Sequence, residues 1–182
     1  MLTGGKSSRM GRDKALLPFR EGVLAGHLAA LAAAAAGSAT FIGDPEKYGH
    51  LGYPVVPDHC PGAGPLGGIE SALSCTEADW NLILACDMPA ISAELLRALL
   101  EAAERSAAGA VVPAGPSGQW EPLCAVYHRR CLGALRRALA AGVRKVTDAL
   151  AGLEVAAWTV NDIACFENLN TSEEWARYHD AH

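Results

Sequence analysis

Apolar positions along this chain alternate between two periods. Residues 81–85 read Asn81-Leu82-Ile83-Leu84-Ala85, a nearly continuous apolar run that predicts a central strand buried on both faces. Leu95, Leu96, Leu99 and Leu100 instead recur every three to four residues and predict one buried face of a helix, with Ser92 as N-cap and Glu94 at its positive end. Further helices are predicted over 23–36, stopped by Gly37, over 65–75, and along the Leu132, Leu135, Leu139 stripe closed by Gly142. Thr171-Ser172-Glu173-Glu174 is a capping box opening a terminal helix that carries Trp175 and Tyr178. Strands are predicted over 39–42, 54–57, 110–112, 121–127 and 153–160. This alternation predicts one α/β domain of three layers, a mostly parallel sheet with helices on both faces.

Ligands of such sheets bind at the carboxyl ends of the strands, and Asp44, Asp58 and Asp87 each follow a predicted strand. All three acids are therefore expected on one edge. Asp after a strand is also ordinary turn or cap chemistry, an alternative that weighs most at Asp44 and least at Asp87. Asp87 ends a fully apolar strand and precedes Met88-Pro89, so it is aimed from a rigid support and suits a Mg²⁺ ligand beside nucleotide phosphates.

The opening stretch supplies the complementary charge. Gly4, Gly5 and Gly11 with Lys6, Arg9, Arg12 and Lys14 have the composition of an anion cradle, in which backbone N–H groups and cations surround a polyphosphate. A solvated tail would have no reason to carry Met10 and then Leu16-Leu17. A buried strand normally precedes such a loop, and only Met1 and Leu2 stand there, so upstream residues are expected to complete it. Gly62-Ala63-Gly64-Pro65-Leu66-Gly67-Gly68 gives a second permissive backbone at a helix start, suited to a base or ribose. Gly5-Lys6-Ser7 and the 82–87 strand imitate a Walker pair. The required glycine would precede Met1, however, and Arg9, Arg12 and Lys14 lie where a P-loop's helix would run.

Composition narrows the partners. The chain has 182 residues, 51% apolar and 19% charged, as a globular domain does. Its formal charge of −5 speaks against non-specific nucleic-acid binding, while five cations gather in the first twenty residues, as a small anionic ligand requires. Six cysteines without a C-x-x-C pair predict free, mostly buried thiols in a reducing cytosol. The longest apolar run, 23–36, is alanine-rich and broken by Gly26 and His27, so neither a signal peptide nor a membrane span is expected. The histidines show no metal-ligand spacing, the four tryptophans read as core or partner surface, and Arg129-Arg130 and Arg136-Arg137 read as solvated helix faces.

Leu2-Thr3-Gly4-Gly5-x-Ser7-x-Arg9-Met10-Gly11-x-Asp13-Lys14, together with Gly64-Pro65-Leu66-Gly67-Gly68, Ala85-Cys86-Asp87-Met88-Pro89, Glu121-Pro122-Leu123 with Tyr127, and Phe166-x-Asn168-x-Asn170-Thr171, resembles the molybdenum cofactor guanylyltransferase family. The resemblance implies a Rossmann-like, three-layer nucleotidyltransferase fold that transfers GMP from GTP to the terminal phosphate of molybdopterin and releases pyrophosphate. It implies that Leu2, Thr3 and Gly4 contact guanine and nucleotide through the backbone, that Lys14 holds the phosphates and that Arg9 stabilises charge at the reacting phosphorus. Asp58, with Asp44 as the polar residue after the second strand, would read the guanosine. Asp87 would bind Mg²⁺ and nucleotide, and Asn168 and Asn170 would lie near the pterin or the metal. Thr3 stands where the family has a small Ala. GTP, molybdopterin or molybdenum cofactor, and further cofactor-biosynthesis proteins and molybdoenzyme acceptors are the implied partners, in the cytoplasm. A cytidylyltransferase, another small-metabolite nucleotidyltransferase and a non-catalytic nucleotide-binding paralogue are the alternatives, the last opposed by intact Arg9, Lys14 and Asp87.

Overall fold

Short strands and helices alternate through the computed structural model, which describes residues 1–3, 13–169 and 171–181. A two-residue hairpin, β1 (Pro18–Phe19) and β2 (Gly22–Val23), leads into α1 (Leu24–Ala36). Gly37 ends α1 as expected: at φ 81° it adopts the left-handed conformation and its N–H donates to the Ala33 carbonyl at 2.8 Å. There follow β3 (Phe41–Ile42), α2 (Pro45–Tyr48), β4 (Val55–Val56), α3 (Pro65–Ser74), β5 (Trp80–Leu84) and α4 (Ala93–Glu104). The second half holds β6 (Ala110–Ala114), β7 (Cys124–His128), α5 (Leu132–Ala140), α6 (Val146–Leu150), β8 (Val155–Thr159) and α7 (Ser172–Ala181).

Residues 1–3 join these strands into one sheet. Leu2 bridges Ile42 and Ala85 in parallel, and its N–H donates to the Leu84 carbonyl at 2.9 Å while the Thr3 N–H donates to Ile42 at 3.1 Å. The order is β4, β3, residues 1–3, β5, β7, β6, β8. The sheet is mostly parallel, as predicted, but β7 runs antiparallel to both β5 and β6. The reason lies in the connection: nine residues separate β6 from β7 and contain a Pro-Ser-Gly turn but no helix, too little chain for a parallel crossover. The hairpin β1–β2 and the short helices α2 and α6 carried too little periodicity to be predicted. The strand expected over 121–127 begins only at Cys124.

Side-chain alternation assigns the layers. Ile83, Ala110, Val112, Ala125 and Tyr127 pack with Leu66, Ile69 and Leu73 of α3, Leu135 of α5 and Val146, Ala149 and Leu150 of α6. Neighbouring positions face the other side: Leu84 and Cys124 join Leu24, Leu28 and Leu96, and Val111 and Val126 join Leu99 and Ala103 of α4. The capping box forms as expected, the Glu174 N–H donating to Thr171 Oγ1 at 3.1 Å and the Thr171 N–H to Glu174 Oε2 at 3.0 Å. It sets α7 so that Trp175 and Tyr178 pack on Phe19 at ring separations of 6.0 and 6.1 Å.

Two expectations about side chains need correction. The six cysteines are free, but only Cys124 and Cys131 are buried, and Cys75 at the end of α3 is exposed. Arg136 is not simply solvated: its Nε lies 2.8 Å from Oε1 of Glu70, which is 4% exposed on α3. Among the described residues no helix is long and apolar enough to cross a membrane.

Candidate active site

A cleft of about 710 Å³ opens at the carboxyl edge of the sheet. Leu2, Ile42, Asp58, Cys86 and Asp87 line it from the strand side, and Pro61, Gly62, Gly64, Pro65 and Gly68 from the segment that starts α3. Parallel strands place their ends together here, so residues far apart in sequence become neighbours. Gly64 caps α3 with φ 70° and ψ −163°, a conformation that a residue with a side chain rarely adopts, and it turns the chain sharply into the helix.

Asp87 sits at the centre. Its Oδ1 is buried and has no hydrogen-bond partner among the described residues, which is costly for a carboxylate unless a ligand satisfies it. Burial pushes the Asp87 carboxyl up from the ordinary range, and the Lys14 charge opposes that rise. The same observation places Lys14 within electrostatic reach of Asp87. The described residues contain no group of three or more His, Cys, Asp or Glu that could hold a metal unaided. One buried oxygen with no hydrogen-bond partner among the described residues fits a hard divalent cation that takes its remaining ligands from substrate phosphates and water, the usual habit of Mg²⁺. Beside it, burial and then the Asp87 and Asp13 charges push the Cys86 thiol up to about 12, so Cys86 is no nucleophile near neutral pH.

Asp58 is held by its surroundings rather than left loose in a turn. Its Oδ1 accepts from the Cys60 N–H and from Ser71 Oγ of α3, both at 2.9 Å, and Ser71 Oγ in turn accepts from the His59 N–H. Both of these Asp58 bonds fall on one oxygen, and the residue lines the cleft. Ser71 is fully buried and escaped the sequence reading, because a serine inside a helix carries no periodic signal.

Asp44 has the local role that the alternative described. Its Oδ1 accepts from the Glu46 N–H at 2.9 Å and caps α2, and the residue is exposed and outside the residues lining the cleft. Leu2 lines the cleft, and Thr3 beside it is buried, with its hydroxyl donating to the Ile42 carbonyl at 3.0 Å. The C-terminal segment reaches the same place: the Leu169 N–H donates to the Asp87 carbonyl at 2.9 Å, so Asn168 is adjacent to a direct contact with the Asp87 backbone. Gly4, Arg9 and Asn170 lie outside the described residues.

A mostly parallel three-layer sheet with a glycine-walled cleft, a carboxylate oxygen buried in it and a lysine within electrostatic reach of that carboxylate has the architecture of a nucleotidyltransferase. The chain belongs to the MobA-like NTP transferase domain family, whose sequence profile matches residues 1–155. It is 34% identical to a Flavobacterium johnsoniae protein named "Probable molybdenum cofactor guanylyltransferase" over 96% of this chain and 92% of that one. It is 33% identical to the molybdenum cofactor guanylyltransferase of Syntrophotalea carbinolica over 98% and 88%. The crystal structure of molybdopterin-guanine dinucleotide biosynthesis protein A from Archaeoglobus fulgidus superimposes with a TM-score of 0.82 at 25% identity, covering 99% of this chain and 95% of that one.

Proposed function

We propose that this protein transfers GMP from GTP to the terminal phosphate of molybdopterin or its molybdenum-loaded form, in the cytoplasm, forming a guanine dinucleotide and releasing pyrophosphate. The observation that carries the reading is the buried Oδ1 of Asp87, without a hydrogen-bond partner among the described residues and within electrostatic reach of Lys14, in a glycine-walled cleft. The names of the similar proteins supply the substrates.

In this reading a phosphate oxygen of the pterin attacks the α-phosphorus of GTP, a new P–O bond forms, and the bond to the β-phosphate breaks with its electrons leaving on pyrophosphate. A phosphate monoester has a second pKa of about 6 and is largely ionised at neutral pH, so no general base is needed. The work left to the protein is positioning and charge neutralisation. Lys14 and Arg9 hold and neutralise the phosphates, and Asp87 would hold Mg²⁺, which would supply Lewis-acid stabilisation of charge on the phosphates. Leu2, Thr3 and Gly4 offer backbone groups to the base. Asp58, with Oδ1 anchored by Ser71, offers its carboxylate to the guanosine, and Asp44, which caps α2 outside the cleft lining, would reach the base only through its second oxygen. Asn168 and Asn170 approach the pterin from the segment tied to Asp87.

The test is to incubate the protein with pterin, magnesium and one nucleoside triphosphate at a time and to measure pyrophosphate. GTP should support release and CTP should not. Release with CTP alone would assign the chain to the cytidylyltransferases, and binding without release would make it a carrier.

A further inference from the structure

Thr3 and Asp13 flank the glycine-rich stretch 4–12 in sequence, and one buried side chain touches both. The hydroxyl of Tyr48, the last residue of α2, donates to Asp13 Oδ2 at 2.7 Å and stands 3.0 Å from the Thr3 carbonyl oxygen. Tyr48 is 3% exposed, and its ring packs on Phe41 at 6.1 Å. Each partner is fixed in turn. Thr3 is tied to Ile42 through its N–H and its hydroxyl. Asp13 uses its other oxygen to accept from the Ala15 N–H and so caps the helical turn that begins at Lys14. Space is made for this at Gly43, where a Cβ would come 2.2 Å from Thr3 Oγ1 and 3.0 Å from the Tyr48 ring. Burial and the Asp13 bond push the Tyr48 phenol up, which keeps it a proton donor at every working pH.

The geometry points to Tyr48 as a positioning residue of nucleotidyl transfer: its hydroxyl sets the separation of Thr3 and Asp13, and thereby the place of Lys14 beside Asp87. This rests on the function proposed above. Ring packing alone would leave the hydroxyl without consequence, so Tyr48→Phe separates the two roles.

Tyr48→Phe should lower kcat for GTP-dependent pyrophosphate release by roughly 10- to 100-fold, the loss expected for a misplaced charged group. KM for GTP should change by less than about threefold and the melting temperature by only a few degrees, because the ring and the base contacts remain. Asp13→Asn combined with Tyr48→Phe should be no slower than Asp13→Asn alone, since both remove one interaction. A kcat within about twofold of wild type, or losses that multiply in the double variant, would overturn the assignment. Amide exchange at Ala15 supplies a readout independent of activity: it should quicken in Tyr48→Phe, and unchanged exchange counts against the strap. Wild-type protein that releases no pyrophosphate would remove the functional reading, while the exchange result would still decide whether the hydroxyl holds Lys14's turn.

Discussion

At the scale of single residues, Asp87 carries an internal conflict between stability and function. A carboxyl pushed up by burial is charged at neutral pH only at a cost, which the Lys14 charge offsets in part, and among the described residues no group hydrogen-bonds Oδ1. Asp87→Asn should therefore stabilise the ligand-free protein by about 1 kcal/mol at pH 7 to 8. The gain should grow as pH rises from the ordinary carboxylate range, about 3.9, through the elevated folded pKa, and vanish in acid where the wild-type carboxyl is protonated in both states. The same variant should lose metal-dependent pyrophosphate release by about 100-fold or more. Thermal melts across pH and a turnover assay check the two halves, and wild-type turnover in the variant would remove Asp87 from the metal. Asp87 and Asp58 were legible in the sequence because each follows an apolar strand. Asp13, Tyr48 and Ser71 were not given roles, because a hydrogen bond spanning 35 residues leaves no local pattern.

Among elements, α3 and α5 are held by more than apolar contact. Arg136 and Ser74 both bond Glu70 Oε1, at 2.8 and 2.9 Å, beneath the loop that walls the cleft. Burial alone would push the Glu70 carboxyl up, but the Arg136 and Ser74 hydrogen bonds and the Arg136 charge bring it below the usual range. Removing Arg136 leaves a buried charge facing only neutral partners among the described residues that bond it, the Ser74 hydroxyl and the Cys60 thiol. Arg136→Ala should destabilise the protein by about 2 kcal/mol at neutral pH, less than for a wholly buried pair because the arginine is 58% exposed. Stability from a depressed carboxyl is present above its unfolded pKa and lost as pH falls through the folded one. The gap between variant and wild type should accordingly close below about pH 4, and denaturant titrations at several pH values would show it. A pH-independent gap would mean that the arginine acts through its aliphatic stem. Arg136 looked like a solvated helix position because its partner lies on a different helix.

For the whole molecule, cleft binding links ligand to stability. A triphosphate bound at a hundred times its Kd adds about 2.7 kcal/mol, which for a domain of this size is roughly 5–10 °C in melting temperature. GTP with magnesium should produce such a shift, and magnesium alone or GTP with a chelator should produce much less. Equal shifts with and without the divalent ion would separate nucleotide binding from Asp87.

The sequence by itself determined the α/β class, most helices with their caps, and the convergence of Asp58 and Asp87 on one edge. Those features rest on local periodicity and on the rule that parallel strands end together. Only the tertiary structure decided the antiparallel course of β7, the capping use of Asp44, the Glu70–Arg136 pair and the Tyr48 strap. Each of these depends on which distant backbone or side chain comes within hydrogen-bond range, and that distance is set by packing rather than by any neighbour in the chain.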